Sequence, residues 1–374
     1  MINIKDIKVY YLEYPLINSI NTSFGLMNSR PAIILQVEDS NKNIGYGEVW
    51  CNFPSNGAKY RFELIKNIFI PFLQGKTFVD PNNFIKLISE KLKTIFVQSG
   101  DMGSFNNICA GFDCAIWDLF AKYKSTPLHK ILNKDSKNSI SLYASGINPS
   151  ESIPKINEAR ELGIKSFKVK IGFNSGLDYE LMDLLYKEIK NDELIMLDVN
   201  QGWTLNNAIN YMKNMNNNKI KWIEEPISAL SSYEDWAIIK NSTKNKIALG
   251  ENINSQSKMI ELSNKLDIDF IQPDITKYGG ISLIIDLKKH IKNEKICLHF
   301  LGSGVGLLTS AHVLASIDSN SLLEYDINYN PLRNNIFMHD IKVINGKIFF
   351  TKNYGIDYVL NHDFVNKYLV STNV

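Results

Sequence analysis

Ionisable residues recur along this chain at the ends of short apolar runs, at intervals close to the combined length of one strand and one helix. From Lys170 onward, successive members of the series are 23 to 28 residues apart. A (β/α)8 barrel places its chemical groups at the C-terminal ends of successive parallel strands, so this spacing predicts that the side chains meet at one mouth. The members of the series are Lys168, Lys170, Asp198, Glu224, Glu251, Asp274, His299 and Glu324.

These residue types indicate acid and base chemistry beside a metal ion. Asp198, Glu224 and Glu251 would end three consecutive strands and offer the hard carboxylate oxygens that Mg²⁺ prefers. Zinc fits less well, because no cysteine or histidine accompanies them. The adjacent Glu225 leaves open which glutamate points into the barrel, since neighbouring side chains on a strand face opposite ways. The alternative is three solvated carboxylates at strand ends.

Two lysines stand at the end of one predicted strand. Lys168 and Lys170 are two positions apart, so on a strand both would face the barrel interior. Crowding two ammonium groups beside a cation lowers their pKa values, which would let Lys170 act as an amine base near neutral pH. Two lysines on a strand more often form a solvated edge, but the interior of a barrel has no such edge.

A histidine and an aspartate face these lysines across the predicted mouth. Asp274 would end strand six and His299 strand seven. A carboxylate bonded to one imidazole nitrogen fixes the tautomer and raises the pKa of the histidine, which makes the other nitrogen a competent acid or base. The substrate would then lie between Lys170 and His299. The other five histidines fall in helical or peripheral stretches and are interpreted as structural: His129, His290, His312, His339 and His362.

Length and composition are those of a two-domain protein of ordinary charge. The chain has 374 residues, and a barrel of about 250 residues leaves roughly a hundred for a second domain. With 41 basic and 39 acidic residues the net charge is +2, which does not indicate a nucleic-acid partner. The absence of an 18-residue apolar stretch and of a signal-peptide pattern predicts a cytoplasmic protein with no membrane contact. The four cysteines stand singly and are interpreted as reduced core thiols, with zinc or disulfide roles as the alternative.

The order of the patterns predicts three parts. Residues 1–135 show extended segments followed by helical periodicity, which predicts an N-terminal α+β capping domain. Residues 136–330 alternate apolar runs with helical stretches and predict a (β/α) barrel, and residues 331–374 would pack back on the cap. The eight predicted barrel strands cover residues 141–144, 166–170, 194–198, 220–224, 247–251, 268–274, 296–299 and 322–324.

Six short motifs follow one another along this region. They are Lys168-Val169-Lys170, Asp198-Val199-Asn200-Gln201-Gly202-Trp203, Trp222-Ile223-Glu224-Glu225-Pro226, Gly250-Glu251-Asn252, Gln272-Pro273-Asp274 and Leu298-His299. In order and spacing they resemble the enolase superfamily, in its mandelate racemase and muconate lactonizing enzyme branch. The helical run 111–119 matches as well, so the resemblance spans almost the whole chain. Six ordered motifs are a specific signal where each alone would be weak.

The resemblance implies an α/β fold, a modified (β/α)8 TIM-type barrel under an N-terminal α+β capping domain. It also implies Mg²⁺-dependent removal of the proton next to a carboxylate, through an enediolate. By the family pattern Lys170 is the base, and Lys168 is an electrophilic neighbour that also binds the substrate carboxylate. Glu224 is then the metal ligand and Glu225 an ion-pair partner in the barrel wall.

Further roles follow for residues around the mouth. Glu324 could hydrogen-bond the enediolate if protonated, or could be only a charged turn residue. Asn200 would orient a ligand or a water. By analogy with the family's cap, specificity would come from loops that carry Phe24, Trp50 and Phe53, an unusually apolar set for a sugar-acid pocket. That set leaves a smaller 2-hydroxy acid or an amino-acid derivative open.

Asp274 indicates the subgroup. Muconate cycloisomerases, succinylbenzoate synthases and dipeptide epimerases carry a second lysine at this position, and Lys277, three residues on, is interpreted as structural. The chain thus resembles the mandelate racemase and acid-sugar dehydratase group. Dehydration of a hydroxy acid or acid sugar to a 2-keto-3-deoxy acid is the first prediction, and racemisation or epimerisation of a 2-hydroxy acid or amino-acid derivative is the alternative.

The sequence leaves other interpretations of the barrel open. The glycine-rich run 302–306 is interpreted as a helix-start turn, with a phosphate cradle as the weaker alternative. A Schiff-base aldolase would need one lysine and no carboxylate trio, and a catalytically inert binding barrel would bind no Mg²⁺. Members of the family commonly form dimers or octamers, so the resemblance implies a homo-oligomer acting on a small carboxylate substrate.

Overall fold

The structure is a computed structural model that describes residues 1–22, 25–172, 175–215, 218–317 and 321–373. Its strands are β1 (Ile2–Thr22), β2 (Gly25–Asp39), β3 (Ile44–Val49), β4 (Thr77–Phe78), β5 (Ser139–Ile147), β6 (Ser166–Lys170), β7 (Leu194–Asp198), β8 (Ile220–Glu224), β9 (Ile247–Leu249), β10 (Phe270–Ile271), β11 (Leu322–Asp326), β12 (Val343–Ile344), β13 (Lys347–Phe349) and β14 (Leu369–Thr372). Its α-helices are α1 (Gly57–Leu64), α2 (Ile70–Leu73), α3 (Pro81–Ser99), α4 (Met102–Tyr123), α5 (Leu128–Leu132), α6 (Ser152–Glu161), α7 (Ser175–Glu188), α8 (Leu205–Asn214), α9 (Tyr233–Ser242), α10 (Gln256–Lys265), α11 (Gly280–Leu287), α12 (Gly304–Ile317), α13 (Pro331–Asn334) and α14 (His362–Lys367). A π-helical turn covers Ile65–Phe69, and 3₁₀ turns cover Pro149–Glu151 and Asn293–Lys295.

An antiparallel sheet forms from the N-terminal strands and the last strand. Its order is β14-β1-β2-β3, with β4 beside β1. Successive side chains on a strand face opposite sides, so the two faces of β2 join two different cores. Ile33 and Leu35 pack in the core under α1, α3 and α4, whereas Ile34 packs in the larger core that continues into the barrel. The sheet therefore couples the N-terminal helices to the barrel.

Helix α4 lies directly on β3 because glycines remove the side chains that would separate them. A Cβ at Gly47 would lie 2.1 Å from the carbonyl oxygen of Gly111, and a Cβ at Gly111 would lie 2.4 Å from Val49 Cγ2. Any larger side chain at either position would push the helix away from the sheet. The predicted helix over residues 111–119 is confirmed as part of α4.

The second sheet is the parallel barrel, and it confirms the predicted α/β class. Strands β10-β9-β8-β7-β6-β5 are neighbours in that order, and β11 pairs with β5 in parallel. The register sets Lys170 opposite Asp198, and Asp198 opposite Glu224. Three predicted site residues therefore lie side by side at the same edge of the sheet.

Three predicted strands are shorter in the structure. Residues 296–299 form only one parallel bridge, from Ile271 to Ile296, and the N–H of Phe300, directly after them, donates to the Glu324 side chain. Strand β9 ends before Gly250, whose φ of 146° leaves the extended conformation, and β10 ends before Pro273, which has no N–H to donate.

The barrel interior below the mouth is a packed apolar layer. The indole of Trp222 packs edge-on against Tyr143, with ring centroids 5.6 Å apart. The buried members of this layer are Tyr143, Met196, Trp222, Ala248 and Cys297. A filled lower barrel leaves chemistry to the upper end of the strands.

The C-terminal tail contacts both sheets. Strand β14 pairs with β1, with Thr372 opposite Tyr10, while β13 pairs with β5, with Lys347 opposite Ser141. The domain boundaries at residues 135 and 330 stay a prediction. All four cysteines are buried and free. No helix in the described part of the chain has the length and apolar character that crossing a membrane requires.

Candidate active site

A cavity of about 480 Å³ opens at the C-terminal ends of the barrel strands, beneath residues of β2 and of the segment after β3. It contains most of the residues that the sequence singled out. Asp274 and Glu224 lie just behind its wall, and Phe24 lies outside the described residues. The predicted residues that line the cavity are Lys168, Lys170, Asp198, Asn200, Glu251, His299, Glu324, Trp50 and Phe53.

Lys168 is the centre of a buried charge cluster. Its Nζ lies 2.7 Å from Glu224 Oε1, 2.9 Å from Glu324 Oε1 and 3.9 Å from Asp198 Oδ2. Burial by itself lowers the pKa of Lys168, but these carboxylates outweigh it and hold the pKa well above its usual value. The crowding of the two lysines predicts a lowered pKa for both, and for Lys168 this prediction is wrong, because the surrounding carboxylates stabilise its ammonium form.

The three predicted metal ligands end adjacent strands or directly follow them. Asp198 accepts a hydrogen bond from the Asn200 N–H at 3.0 Å, and burial raises its pKa, with Lys168 and Lys170 opposing the shift. Burial raises the pKa of Glu224 to about 7, again against Lys168. For Glu251, burial acts in the same direction, but the neighbouring His299 and other cations outweigh it and its pKa is lowered.

The carboxylates are turned toward other side chains of the site rather than toward a common centre. Glu251 Oε2 lies 2.8 Å from His299 Nε2, and Glu224 Oε2 accepts hydrogen bonds from Trp222 Nε1 at 3.0 Å and Gln272 Nε2 at 3.1 Å. Accordingly, among the described residues no three His, Cys, Asp or Glu side chains are arranged as a finished set of metal ligands.

The residues nevertheless fit a magnesium ion in type and place. Burial raises the pKa values of Asp198 and Glu224, which means that negative charge is held out of water at this point. In addition, Oε1 of the adjacent Glu225 is buried with no hydrogen-bond partner among the described residues. Hard oxygen donors with surplus buried negative charge are the setting that a divalent cation neutralises.

His299 is held at both ring nitrogens. Nδ1 lies 3.0 Å from Asp274 Oδ2, and Nε2 faces Glu251. Asp274 is itself fixed, because its Oδ1 accepts hydrogen bonds from the N–H of Thr276 at 2.8 Å and from its hydroxyl at 2.7 Å. Burial lowers the pKa of His299, but Glu251, Glu324 and Asp274 outweigh it and the pKa is raised well above its usual value. The predicted His299–Asp274 contact is therefore present.

Glu324 lies between the lysine and histidine sides of the mouth. Oε1 faces Lys168, and Oε2 accepts hydrogen bonds from the Tyr143 hydroxyl at 3.0 Å and the Phe300 N–H at 3.2 Å. Burial acts to raise its pKa, but Lys168 and His299 outweigh it and the pKa is lowered. The ammonium of Lys168, the Tyr143 hydroxyl and the Phe300 N–H stabilise the ionised form of Glu324 and thus oppose the protonated form that a hydrogen bond to the enediolate would need.

Lys170 and Asn200 complete the upper rim. Both line the cavity, and the side-chain amine of Lys170 makes no hydrogen bond or ion pair with the residues that the structure describes. Asn200 sits in a left-handed turn with φ of 47°, from which its backbone N–H reaches Asp198. The amine of Lys170 is thus exposed to the cavity from the β6 side, while His299 lies on the other side.

The cap wall docks on the barrel through the segment that follows β3. The backbone N–H of Trp50 donates to the Thr276 carbonyl at 3.0 Å, and Asn52 Nδ2 donates to the Leu301 carbonyl at 3.1 Å. The Trp50 ring lies 4.7 Å from the ammonium of Lys277. Lys277, which sequence analysis interpreted as structural, therefore forms part of the cavity wall.

Glu225 does not form the predicted ion pair within the described residues. It lies beyond the end of β8 with φ of 40°, so it is not on the extended strand that the prediction assumed. Its Oε2 accepts a hydrogen bond from Asn252 Nδ2 at 2.8 Å, and burial and Glu251 raise its pKa well above the usual value. An amide, not a cation, partners this glutamate.

The glycine-rich run 302–306 is a helix start, as predicted, but a protein carboxylate occupies it. Glu48 of β3 accepts hydrogen bonds from the Ser303 N–H at 2.8 Å, the Ser303 hydroxyl at 2.6 Å and the Gly306 N–H at 2.8 Å. These donors are the ones that an anion at a helix N-terminus would use. The phosphate alternative is therefore wrong, because Glu48 already takes this place.

Sequence reasoning missed several residues of the site. Tyr143, Gln272 and Asn252 hydrogen-bond the predicted carboxylates, and Arg30 of β2 reaches the cavity wall. Gln272 and Asn252 stand beside predicted residues within two of the motifs, which was a usable signal. For Tyr143 and Arg30 no local pattern marks the site, since their places follow from barrel closure and cap docking.

Comparison with known proteins gives one family match. The profile of the family described as Enolase C-terminal domain-like matches residues 153–363. The chain is similar to an arabinonate dehydratase of Saccharolobus solfataricus, with 26% identity over 98% of this chain and 99% of the relative. It is also similar to an N-succinyl-L-Arg/Lys racemase of Bacillus cereus, with 25% identity over 74% of each chain.

Solved structures share the whole architecture. A mandelate racemase/muconate lactonizing enzyme structure from Bordetella bronchiseptica superposes with a TM-score of 0.87 and 28% identity, over 98% of this chain and 99% of that one. An enolase from Bradyrhizobium, solved in complex with magnesium and mandelic acid, has a TM-score of 0.83 and 23% identity over 99% of each chain. The second likeness concerns the fold.

Proposed function

Because this chain belongs to the family of Enolase C-terminal domain-like proteins, in the mandelate racemase and muconate lactonizing enzyme group of the enolase superfamily, we propose that it dehydrates a hydroxy acid or acid sugar to a 2-keto-3-deoxy acid. Its relatives are lyases and isomerases, and this chain is an enzyme of the same class. The observation that carries the proposal is the placement of Lys170 and His299 in one cavity, with His299 held 3.0 Å from Asp274.

Lys170 is the base in this proposal. It faces the cavity, and no described residue occupies its amine. It takes the proton from the carbon next to the substrate carboxylate, while the buried ammonium of Lys168 lies beside that carboxylate and stabilises its charge. Glu224 and Glu324 hold Lys168 in place, so the cation is positioned before the substrate arrives.

His299 acts on the other face. Asp274 holds Nδ1, so Nε2, which lies beside Glu251 in the cavity, is the nitrogen that donates a proton to the departing hydroxyl group. The bond from the neighbouring carbon to oxygen breaks, and water leaves. The enol that remains rearranges to the keto acid. A base on one face and an acid on the other suffice for this elimination.

Asp198, Glu224 and Glu251 are the residues that would hold Mg²⁺. Bound there, the ion would supply positive charge against the enediolate oxygens that form when the proton is removed. Proteins of this fold have been solved with magnesium, among them the Bradyrhizobium enolase. The matched dehydratase, which covers nearly the whole chain, further supports dehydration.

Racemisation or epimerisation is the second candidate. The same opposed pair, Lys170 and His299, can remove a proton from one face of a carbon and return one from the other. The similarity to the Bacillus cereus racemase favours keeping this candidate. Asp274 stands where the family resemblance implies a lysine in dipeptide epimerases, and this supports dehydration as the first candidate.

The test is a screen in D₂O. The protein with Mg²⁺ is incubated with 2-hydroxy acids, acid sugars and N-acyl amino acids, and α-proton exchange is followed by NMR while keto acid is assayed. Exchange with keto-acid formation supports the dehydratase. Exchange that yields the stereoisomer without keto acid favours the racemase, and no exchange with any compound contradicts both.

A further inference from the structure

An ion pair joins the cap to the barrel in the wall of the cavity. Arg30 on β2 and Asp326 at the end of β11 lie with Nη1 and Oδ2 3.1 Å apart, and both residues line the cavity. They are 8% and 6% exposed, so the pair is shielded from bulk water. Asp326 Oδ1 accepts hydrogen bonds from the Asn328 N–H at 3.0 Å and from its side-chain amide at 2.9 Å.

In the proposed mechanism, the pair faces the end of the substrate away from the reacting carboxylate. Asp326 follows Glu324 by two residues on β11, so the two side chains leave the same face of the strand, about 7 Å apart along it. Glu324 contacts Lys168, beside which the proposed function places the reacting carboxylate. A substrate held there points the other end of its carbon chain toward Arg30 and Asp326.

The charge of the wall formed by Arg30 and Asp326 decides which substrate end can bind there. A lone arginine would be a natural partner for a second carboxylate, but Asp326 already neutralises Arg30. Glu151 adds a negative charge to the lining, and the ammonium of Lys277 donates to Asn252 at 2.6 Å and acts on Glu251.

We propose that this wall selects a substrate whose far end is uncharged and hydroxylated, so that the substrate is a monocarboxylic sugar acid rather than a dicarboxylic one. The inference rests on the proposed function. A hydroxyl group can donate to Asp326 and accept from Arg30 or Asn328. A terminal carboxylate would instead lie beside the carboxylates of Asp326 and Glu151. The repulsion between these like charges would weaken the binding of a dicarboxylic acid.

Matched pairs of sugar acids test the inference. D-gluconate and D-glucarate, D-galactonate and galactarate, and D-arabinonate and D-arabinarate differ within each pair only at the terminal carbon. We expect kcat/KM for keto-acid formation to favour the monoacid by roughly tenfold or more in each accepted pair. A preference for the diacids would overturn the inference.

A direct binding measurement separates this inference from the proposed function. The dissociation constants of the same acids are measured by calorimetry on Lys170→Met with Mg²⁺, which cannot turn them over by the proposed route. Tighter binding of monoacids without turnover in the wild type supports the inference and contradicts the dehydratase. Tighter binding of diacids, or binding of neither, contradicts the inference.

The Asp326→Asn variant examines the source of selectivity. It keeps the size of the side chain but leaves the charge of Arg30 without its partner, so we expect the diacid-to-monoacid ratio of kcat/KM to rise by roughly tenfold. Asp183→Asn, at an exposed position on α7, is the matched control and leaves the ratio unchanged. If the ion pair were purely structural, Asp326→Asn would lower kcat/KM for the diacid and for the monoacid by the same factor. An unchanged ratio in Asp326→Asn would therefore contradict the role proposed for this wall in selectivity.

Discussion

Glu48 in the cap accepts two hydrogen bonds from Ser303, one from the backbone N–H at 2.8 Å and one from the hydroxyl at 2.6 Å. With the Gly306 N–H as a third donor, the carboxylate satisfies the start of α12. Trp50 and Phe53, which line the cavity, lie two and five residues after Glu48 in the chain. This contact therefore connects the cap wall to the barrel end that carries His299.

We expect Glu48→Gln to lower the free energy of unfolding by about 1–3 kcal/mol and to raise KM more than it lowers kcat. A glutamine must direct its NH₂ group at one of the N–H donors of α12, which leaves that donor unsatisfied. Urea unfolding and steady-state kinetics measure the two effects. A variant with wild-type stability and KM would show that the contact does not position the cap.

The pH dependence of the same variant is a further check on Glu48. Burial raises the pKa of Glu48 to about 7, although the hydrogen bonds from Ser303 and Gly306 act to lower it. Asp274 and Cys51 are the nearby titratable groups. Its stability contribution is thus fully present below pH about 4.5 and is lost as the pH rises to about 7. We expect the stability difference between wild type and Glu48→Gln to shrink over this range, whereas a constant difference would contradict the raised pKa.

Lys170→Met should reduce turnover by about 10²- to 10⁴-fold, because it removes the proposed base without adding charge. The matched control is Lys165→Met near the start of the same strand, where the lysine forms an exposed ion pair with Asp192. It should keep near-normal kcat. Equal losses in the two variants would indicate that the lysine positions matter only for folding.

Asp274→Asn should lower kcat by about 10²-fold or more with little change in KM, because the amide no longer fixes the protonated Nδ1 of His299. Nitrogen NMR of the His299 ring should show a changed tautomer balance. Asp286→Asn in the exposed pair with Lys289 is the control. An unaltered ring spectrum together with a lower kcat would mean that Asp274 acts in another way.

Removal of Mg²⁺ by a chelator should abolish activity, and its return should restore it. The ion should also raise the melting temperature, since a ligand at 100 times its dissociation constant stabilises the native state by about 2.7 kcal/mol. Glu251→Gln should lose this shift, whereas Glu261→Gln, in a surface ion pair with Lys265, should keep it. If Glu251→Gln responds to Mg²⁺ like the wild type, the predicted ligand set is wrong.

The barrel and most of the residues at its mouth could be predicted, because strand-plus-helix spacing is a property of the sequence itself. It could assign Lys170, Asp198 and Glu224 to one edge from strand periodicity alone, and the register agrees. It could not predict the partners of Lys168, since those depend on which side chains cross the barrel. For that reason its pKa argument failed at this residue.

Other differences have equally local causes. The predicted strand at 296–299 forms only one bridge, and at Phe300, the next residue, the backbone N–H donates to the Glu324 side chain. Glu225 leaves the strand geometry through a positive φ that the motif does not reveal. The ion pair of Arg30 with Asp326 joins residues 296 positions apart, a contact that only cap docking creates.

The most direct test of the account is α-proton exchange in D₂O by His299→Asn, with Mg²⁺ and the acid that the wild type accepts. In the proposed mechanism Lys170 removes the proton and His299 protonates the departing hydroxyl group. We therefore expect the variant to retain exchange of the α-proton while keto-acid formation falls by about 10²-fold or more. Loss of exchange in His299→Asn, together with retained exchange in Lys170→Met, would contradict this division of roles.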